Sequence, residues 1–225
     1  MSLLKNFVLG TAATTALATA ASADFLSFDG TVAEVGDYTV IKMYAVYDRA
    51  DIALNVFNAQ IVTKDNGGFN QNDVWGGGGT WAPDASLDIP GFADSSIDSF
   101  ATIGYGVGNA APTNGTALGQ GWGSGAFVPS GSGWYNGNPN NDQVAGAVEG
   151  IGEYAVWVGQ FAFATSRVEA AGSQRFFIFD CEMGSKNAAG EVFFGGSEYA
   201  WRFTPTPGAL ALLGLGGLTT RRRKH

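Results

Sequence analysis

Apolar and polar residues alternate in short runs along most of this chain, and glycine-rich stretches separate the runs. The first run, 25–33, sets Leu26, Phe28 and Val32 against Ser27, Asp29 and Thr31, which is the period of a half-buried strand. Val35-Gly36-Asp37 has the composition of a tight turn. Residues 38–47 are β-branched and aromatic on both faces, as in a central strand. The polar Asp48-Arg49-Ala50-Asp51 leads into a third strand over 53–63, and these three strands are expected to form a meander.

The character changes at Lys64. Asp65-Asn66-Gly67-Gly68 and Gly76-Gly77-Gly78-Gly79 punctuate a loop that runs to 85. A short strand is expected over 86–89 and a better one over 97–104, where Phe100 and Thr102 alternate with Ala101 and Ile103. Residues 105–148 are dominated by Gly, Asn, Ser, Pro and Ala, and so long a structureless stretch is uncommon inside a compact domain. One helical turn is expected over 144–150; no helix of ordinary length and no repeated unit stands out. Strands follow at 154–165, 174–181, 191–194 and 198–203, the last with Tyr199, Trp201 and Phe203 inward. The pattern predicts an all-β chain: an antiparallel two-sheet β-sandwich, jelly-roll-like, of eight to ten strands with long Gly-rich loops.

Both ends carry transport signals. Lys5, an apolar stretch over 7–20 and the small-x-small sequence Ala21-Ser22-Ala23 read as a secretory signal, with Asp24 as the first mature residue. At the other end, Thr204-Pro205-Thr206-Pro207-Gly208 stops any strand, residues 209–218 are uncharged, and Arg221-Arg222-Arg223-Lys224-His225 follows. As a helix, residues 208–220 would span only roughly 20 Å, against a hydrocarbon core of about 30 Å. The segment therefore suits a transient membrane association better than a permanent span. The expected organisation is a signal over 1–23, one β-sandwich domain over 24–203 and a sorting tail over 204–225.

The tail resembles the PEP-CTERM sorting signal of exported bacterial proteins. The resemblance rests on Pro205, Pro207 and Gly208, the short apolar segment, and Arg221, Arg222 and Arg223; the family's glutamate between the prolines is Thr206 here. It implies export, processing by signal peptidase and an exosortase-like enzyme, and release or attachment at the cell surface, often among exopolysaccharide. It implies no activity for the domain in front. Residues 98–104 and 133–139 are similar to segments of exported planctomycete-type proteins, and that similarity carries no activity either.

Charge narrows the partners. All twenty Asp/Glu and seven Lys/Arg lie within residues 24–203, so the mature region carries a net −13. Nucleic acid, which is held by cationic contacts to phosphate, is not an expected partner. His225 is the only histidine, so the folded region has none for Ser-His-Asp or Cys-His catalysis, or for a histidine metal site. Cys181 is the only cysteine, and its apolar surroundings predict a small buried residue.

Carboxylate pairs are available for glycoside hydrolysis at Glu149/Glu153 and at Asp180/Glu182. The first adjoins a glycine-rich turn, and the second shares one face of a strand. Neither has a sequence context that points to catalysis, and the expectation is a protein that is not an enzyme. No cofactor is expected. Calcium stays open as an alternative, because Asp65, Asn70, Asn72 and Asp73, and residues 136–142, offer oxygen donors. The expected role is an exported structural or interaction protein of the cell surface or extracellular matrix. The alternative is a carbohydrate-binding module, with Trp75, Trp81, Trp122, Trp134 and Tyr135 as stacking faces. For Trp75 and Trp81, folding back over a sheet edge or end is the competing role.

Overall fold

The computed structural model describes residues 25–71, 81–82, 94–104, 116–123, 125–137, 143–172 and 174–204. Ala21, Ala23 and Asp24 at the expected cleavage site lie outside these residues. So do the short strand expected at 86–89 and the tail residues Pro205, Pro207, Gly208, Arg221, Arg222 and Arg223. Among the described residues, no helix is long and apolar enough to cross a membrane.

The chain forms an all-β sandwich of two antiparallel sheets. The strands are β1 Phe25–Val35, β2 Tyr38–Tyr47, β3 Ile52–Thr63, β4 Phe100–Ala101, β5 Thr116–Leu118, β6 Ser132–Asn136, β7 Gly146–Val148, β8 Gly152–Ala164, β9 Arg175–Lys186 and β10 Val192–Arg202. Sheet A runs β1-β2-β8-β4, with β7 also on β8; sheet B runs β10-β9-β3-β6-β5.

The expected meander is therefore corrected. β1 and β2 are a hairpin, whereas β3 crosses to sheet B between β9 and β6. The polar link at 48–51 makes this step, and Ala53, Val56, Ala59 and Ile61 reach the core from the second layer. The strands expected at 191–194 and 198–203 are one strand, because Gly195 and Gly196 stay in register with Met183 and Glu182. The turn expected over 144–150 is likewise not helical: Val144 bridges to Ile52, and β7 pairs with β8.

Bulges explain where simple alternation breaks. Phe28 is buried but Leu26 is exposed, because the β1–β2 register shifts between Phe25 and Ser27 and lets Phe25 pack on the core instead. Val32 is also exposed, on the outer side of sheet A. In β3, Val56 and Ala59 are three apart yet both buried. A register shift between Phe57 and Gln60, with Asn58 at φ 52°, turns the strand back to the same face.

The core between the sheets is aromatic. Phe161 of β8 meets Phe177 and Phe179 of β9 at ring-centroid distances of 5.4 and 5.7 Å. Phe28 meets Phe179 at 4.8 Å. One side of the sandwich closes where β1 meets β10, through the Phe28 N–H donating to Ser197 Oγ at 2.8 Å. Cys181 lies within this core, as expected, and burial pushes its thiol well above the usual range.

The pattern gave no sign of helix α1, Thr165–Ala171. Seven residues are too few to show a period, and so short a helix is unstable alone. Tertiary contacts hold it. Val168 is fully buried. Arg167 Nε and Nη2 donate to Asp65 Oδ2 and Oδ1, each at 2.8 Å, and Nη2 also donates to Thr63 Oγ1 at 3.0 Å. Arg167 holds the Asp65 carboxyl far below its ordinary value of 3.8. The contribution of this pair is therefore complete above that value and is lost as pH falls through the lowered one. Denaturant midpoints of the wild type and Asp65→Asn should differ at pH 7 and converge on acidification below about pH 4. A gap that stays constant down to pH 2 would show that the ion pair does not stabilise the fold.

Candidate interaction surface

Strand β6 sorts the expected stacking residues. Its alternation turns Ser132, Trp134 and Asn136 inward and Gly133 and Tyr135 outward. Trp134 is 1% exposed and donates its indole N–H to Thr102 O at 2.9 Å. Trp81 is 0% exposed and donates to Gly125 O at 2.9 Å. Trp122 is half-buried between them, at 5.3 Å from Trp81 and 5.8 Å from Trp134, and donates to Gly133 O. Trp81 and Trp134 are thus corrected from stacking faces to core residues. Their rings fill apolar space in the core, and their N–H groups, which burial would otherwise leave unpaired, bond backbone carbonyls. Trp75 lies outside the described residues.

Tyr135 is the stacking candidate that faces solvent, at 52% exposure. It belongs to a row across the outer face of sheet B. The register pairs Phe194 with Gly184, Gly184 with Asn55, Asn55 with Tyr135, and Tyr135 with Ala117. Phe194, on β10, is 70% exposed. Its ring meets that of Phe57 edge-on at 5.9 Å.

Glycines form the floor of this row. A Cβ on Gly184 would lie 2.0 Å from Asn55 Oδ1, so this glycine makes room for the Asn55 carboxamide to lie over β9. A Cβ on Gly133 would lie 2.5 Å from Val56 O, a backbone atom that cannot move aside without parting β3 from β6. The result is a shallow groove of about 450 Å³ lined by Asn55, Phe57, Gly119, Gly133 and Tyr135 among others. Glu182 and Asp180 stand on the same outer face of β9, as their spacing predicted. Glu182 Oε1 accepts from Asn58 Nδ2 at 2.8 Å, and Glu198 is ion-paired with Arg175. Glu149 and Glu153 are exposed around the β7–β8 turn, on the other sheet.

A second concavity, of about 620 Å³, lies on the outer face of sheet A. Its floor carries Lys42, Tyr44, Trp157 and Gln160, and its walls are the turn at Ser95–Ile97 and Val148-Glu149. Lys42 Nζ sits 4.7 Å from the centroid of the Trp157 ring. Gln160 Nε2 donates to Ser95 O and Asp98 O, which ties the turn to the sheet. Sequence reasoning passed over Trp157. Its signal was there: it stands between Val156 and Val158, both inward, so a strand places it on the opposite face.

Of the oxygen donors expected for calcium, the Asp65 carboxylate is bound by Arg167, and the Asn70 and Asn136 carboxamides are oriented through their nitrogens. Asn70 Nδ2 donates to Ile97 O, and Asn136 Nδ2 donates to Ile103 O. Asn72, Asp73 and 138–142 lie outside the described residues. Among the described residues, no three His, Cys, Asp or Glu side chains converge as metal ligands. Compared with protein-family models, with curated proteins and with solved structures, the chain matches none.

Proposed function

We propose that this is an exported structural or interaction protein of the bacterial surface or extracellular matrix, sorted through its tail, which makes contact through the outer face of sheet B. The observation that carries the reading is the exposed row Phe194–Asn55–Tyr135. An outer sheet face in water is ordinarily polar, and large apolar side chains grouped on it mark contact sites. Val192 and Val62, 52% and 45% exposed, extend the apolar character of the sheet. The signals over 1–23 and 204–225 support the address.

A second reading, carbohydrate binding, is favoured by the solvent-facing ring of Tyr135 beside the Asn55 carboxamide.

The test is fractionation of the native host, with intact-mass measurement of the recovered protein. The expected species starts at Asp24, ends near Pro205–Gly208 and stays with the surface material. Tyr135→Ser with Phe194→Ser should shift it to the medium with the same two chain ends, its mass changed only by the two substitutions. A species that keeps Arg221 to His225 would overturn the sorting step. Unchanged retention of the double variant would overturn the contact face.

A further inference from the structure

We infer that the outer face of sheet B, from the groove at Asn55 and Tyr135 across to Phe194, binds a neutral glycan chain lying across the strands; this rests on the reading of that face as the contact surface. Three observations choose the ligand. First, β9, β3 and β6 are each paired on both sides, so no backbone is open to an added peptide strand. A ligand at the middle of the sheet must be held by side chains. Second, the side chains present suit a molecule with apolar faces and hydroxyl edges. Phe194 and Tyr135 are three strand steps apart, roughly 14 Å at the usual spacing, which is room for a few linked sugar rings. Between them lies the Asn55 carboxamide, both donor and acceptor, with no hydrogen-bond partner among the described residues. Third, charge selects against two other occupants. Glu182 borders the row on one side and Lys186 on the other; Asp180 lies one step beyond Glu182, Glu198 is paired with Arg175, and the mature region as a whole carries a net −13. An anionic polysaccharide would be repelled. A second copy docked face to face would set these carboxylates against their equivalents.

The ring stacks at the two ends act on sugar C–H faces, and loss of either should weaken binding about tenfold, the equivalent of about 1.4 kcal/mol. The full chain is run through native gels containing hydroxyethylcellulose, galactomannan or alginate, and its self-association is followed by sedimentation velocity. The expected result is retardation by at least one neutral polymer and not by alginate. Tyr135→Ala, Phe194→Ala and Asn55→Ala should each lose most of that retardation while keeping the wild-type circular dichroism and melting temperature. Retardation by a neutral polymer that survives all three substitutions would place the site elsewhere and overturn the inference. Retardation by alginate alone would overturn it as well. No retardation by any polymer, with host-surface retention still lost in the Tyr135/Phe194 variant, would sink the glycan assignment and leave the contact face standing. No retardation together with unchanged retention would remove both. A wild-type dimer that the Phe194 substitution converts to monomer would make the face an interface between copies.

Discussion

Phe161→Ala should cost the fold about 3–5 kcal/mol, the range for truncating a buried phenylalanine. Phe161 is fully buried at the centre of the sandwich. Its ring lies 5.3 Å from Phe69, 5.4 Å from Phe177, 5.7 Å from Phe179 and 6.3 Å from Trp81. These neighbours belong to sheet B and to the loops around it, so the cavity would open between the layers. The strands are hydrogen-bonded within each sheet and cannot collapse into that space. Such a loss is a large fraction of the total stability of an ordinary domain, about 5–15 kcal/mol. Phe194→Ala is the matched comparison, since Phe194 is 70% exposed. It should change stability by less than about 1 kcal/mol. Urea unfolding of both variants measures the contrast, and equal losses would mean that the layers are not packed through Phe161.

Trp134→Ala should be comparably destabilising, by about 3–5 kcal/mol. The substitution removes a fully buried indole that touches Trp122 and Phe179. It also removes the indole N–H that donates to Thr102 O. Tyr135, one residue on, points the other way, and Tyr135→Ala should leave the unfolding midpoint almost unchanged. The pair therefore separates packing from contact within a single strand. A Trp134→Ala protein that keeps wild-type stability would remove Trp134 from the core and return it to the exposed face.

How far the sequence could be read follows from the same strand. An alternation of period two identifies a strand and splits its residues into two sets. In β6 the apolar set is not pure: Trp134 and Tyr135 are both aromatic, and glycine flanks them. Which ring goes inside depends on which face meets the second sheet, and that is decided by β9 and β3 far along the chain. Composition alone does not distinguish Trp81, Trp122 and Trp134 from Tyr135 as stacking faces. Burial separates them, because Trp122, on the chain before β6, packs between Trp81 and Trp134. Phe194 and Asn55 joined the site only through register, being 139 positions apart in the chain yet on one row through Gly184.

The sequence by itself determined the all-β class, the boundaries of one strand, 38–47, to the residue, and the inward face of Tyr199 and Trp201. It could do so because side-chain alternation and turn chemistry are local properties of the backbone. Only the tertiary structure decided that β3 leaves the first hairpin for the other sheet, that bulges at Phe25/Ser27 and Phe57/Gln60 reset the alternation, and that α1 forms on Asp65. It also brought Phe194, Asn55 and Tyr135 onto one face. Each of these depends on contacts between residues distant in sequence, whose free energy local periodicity does not contain.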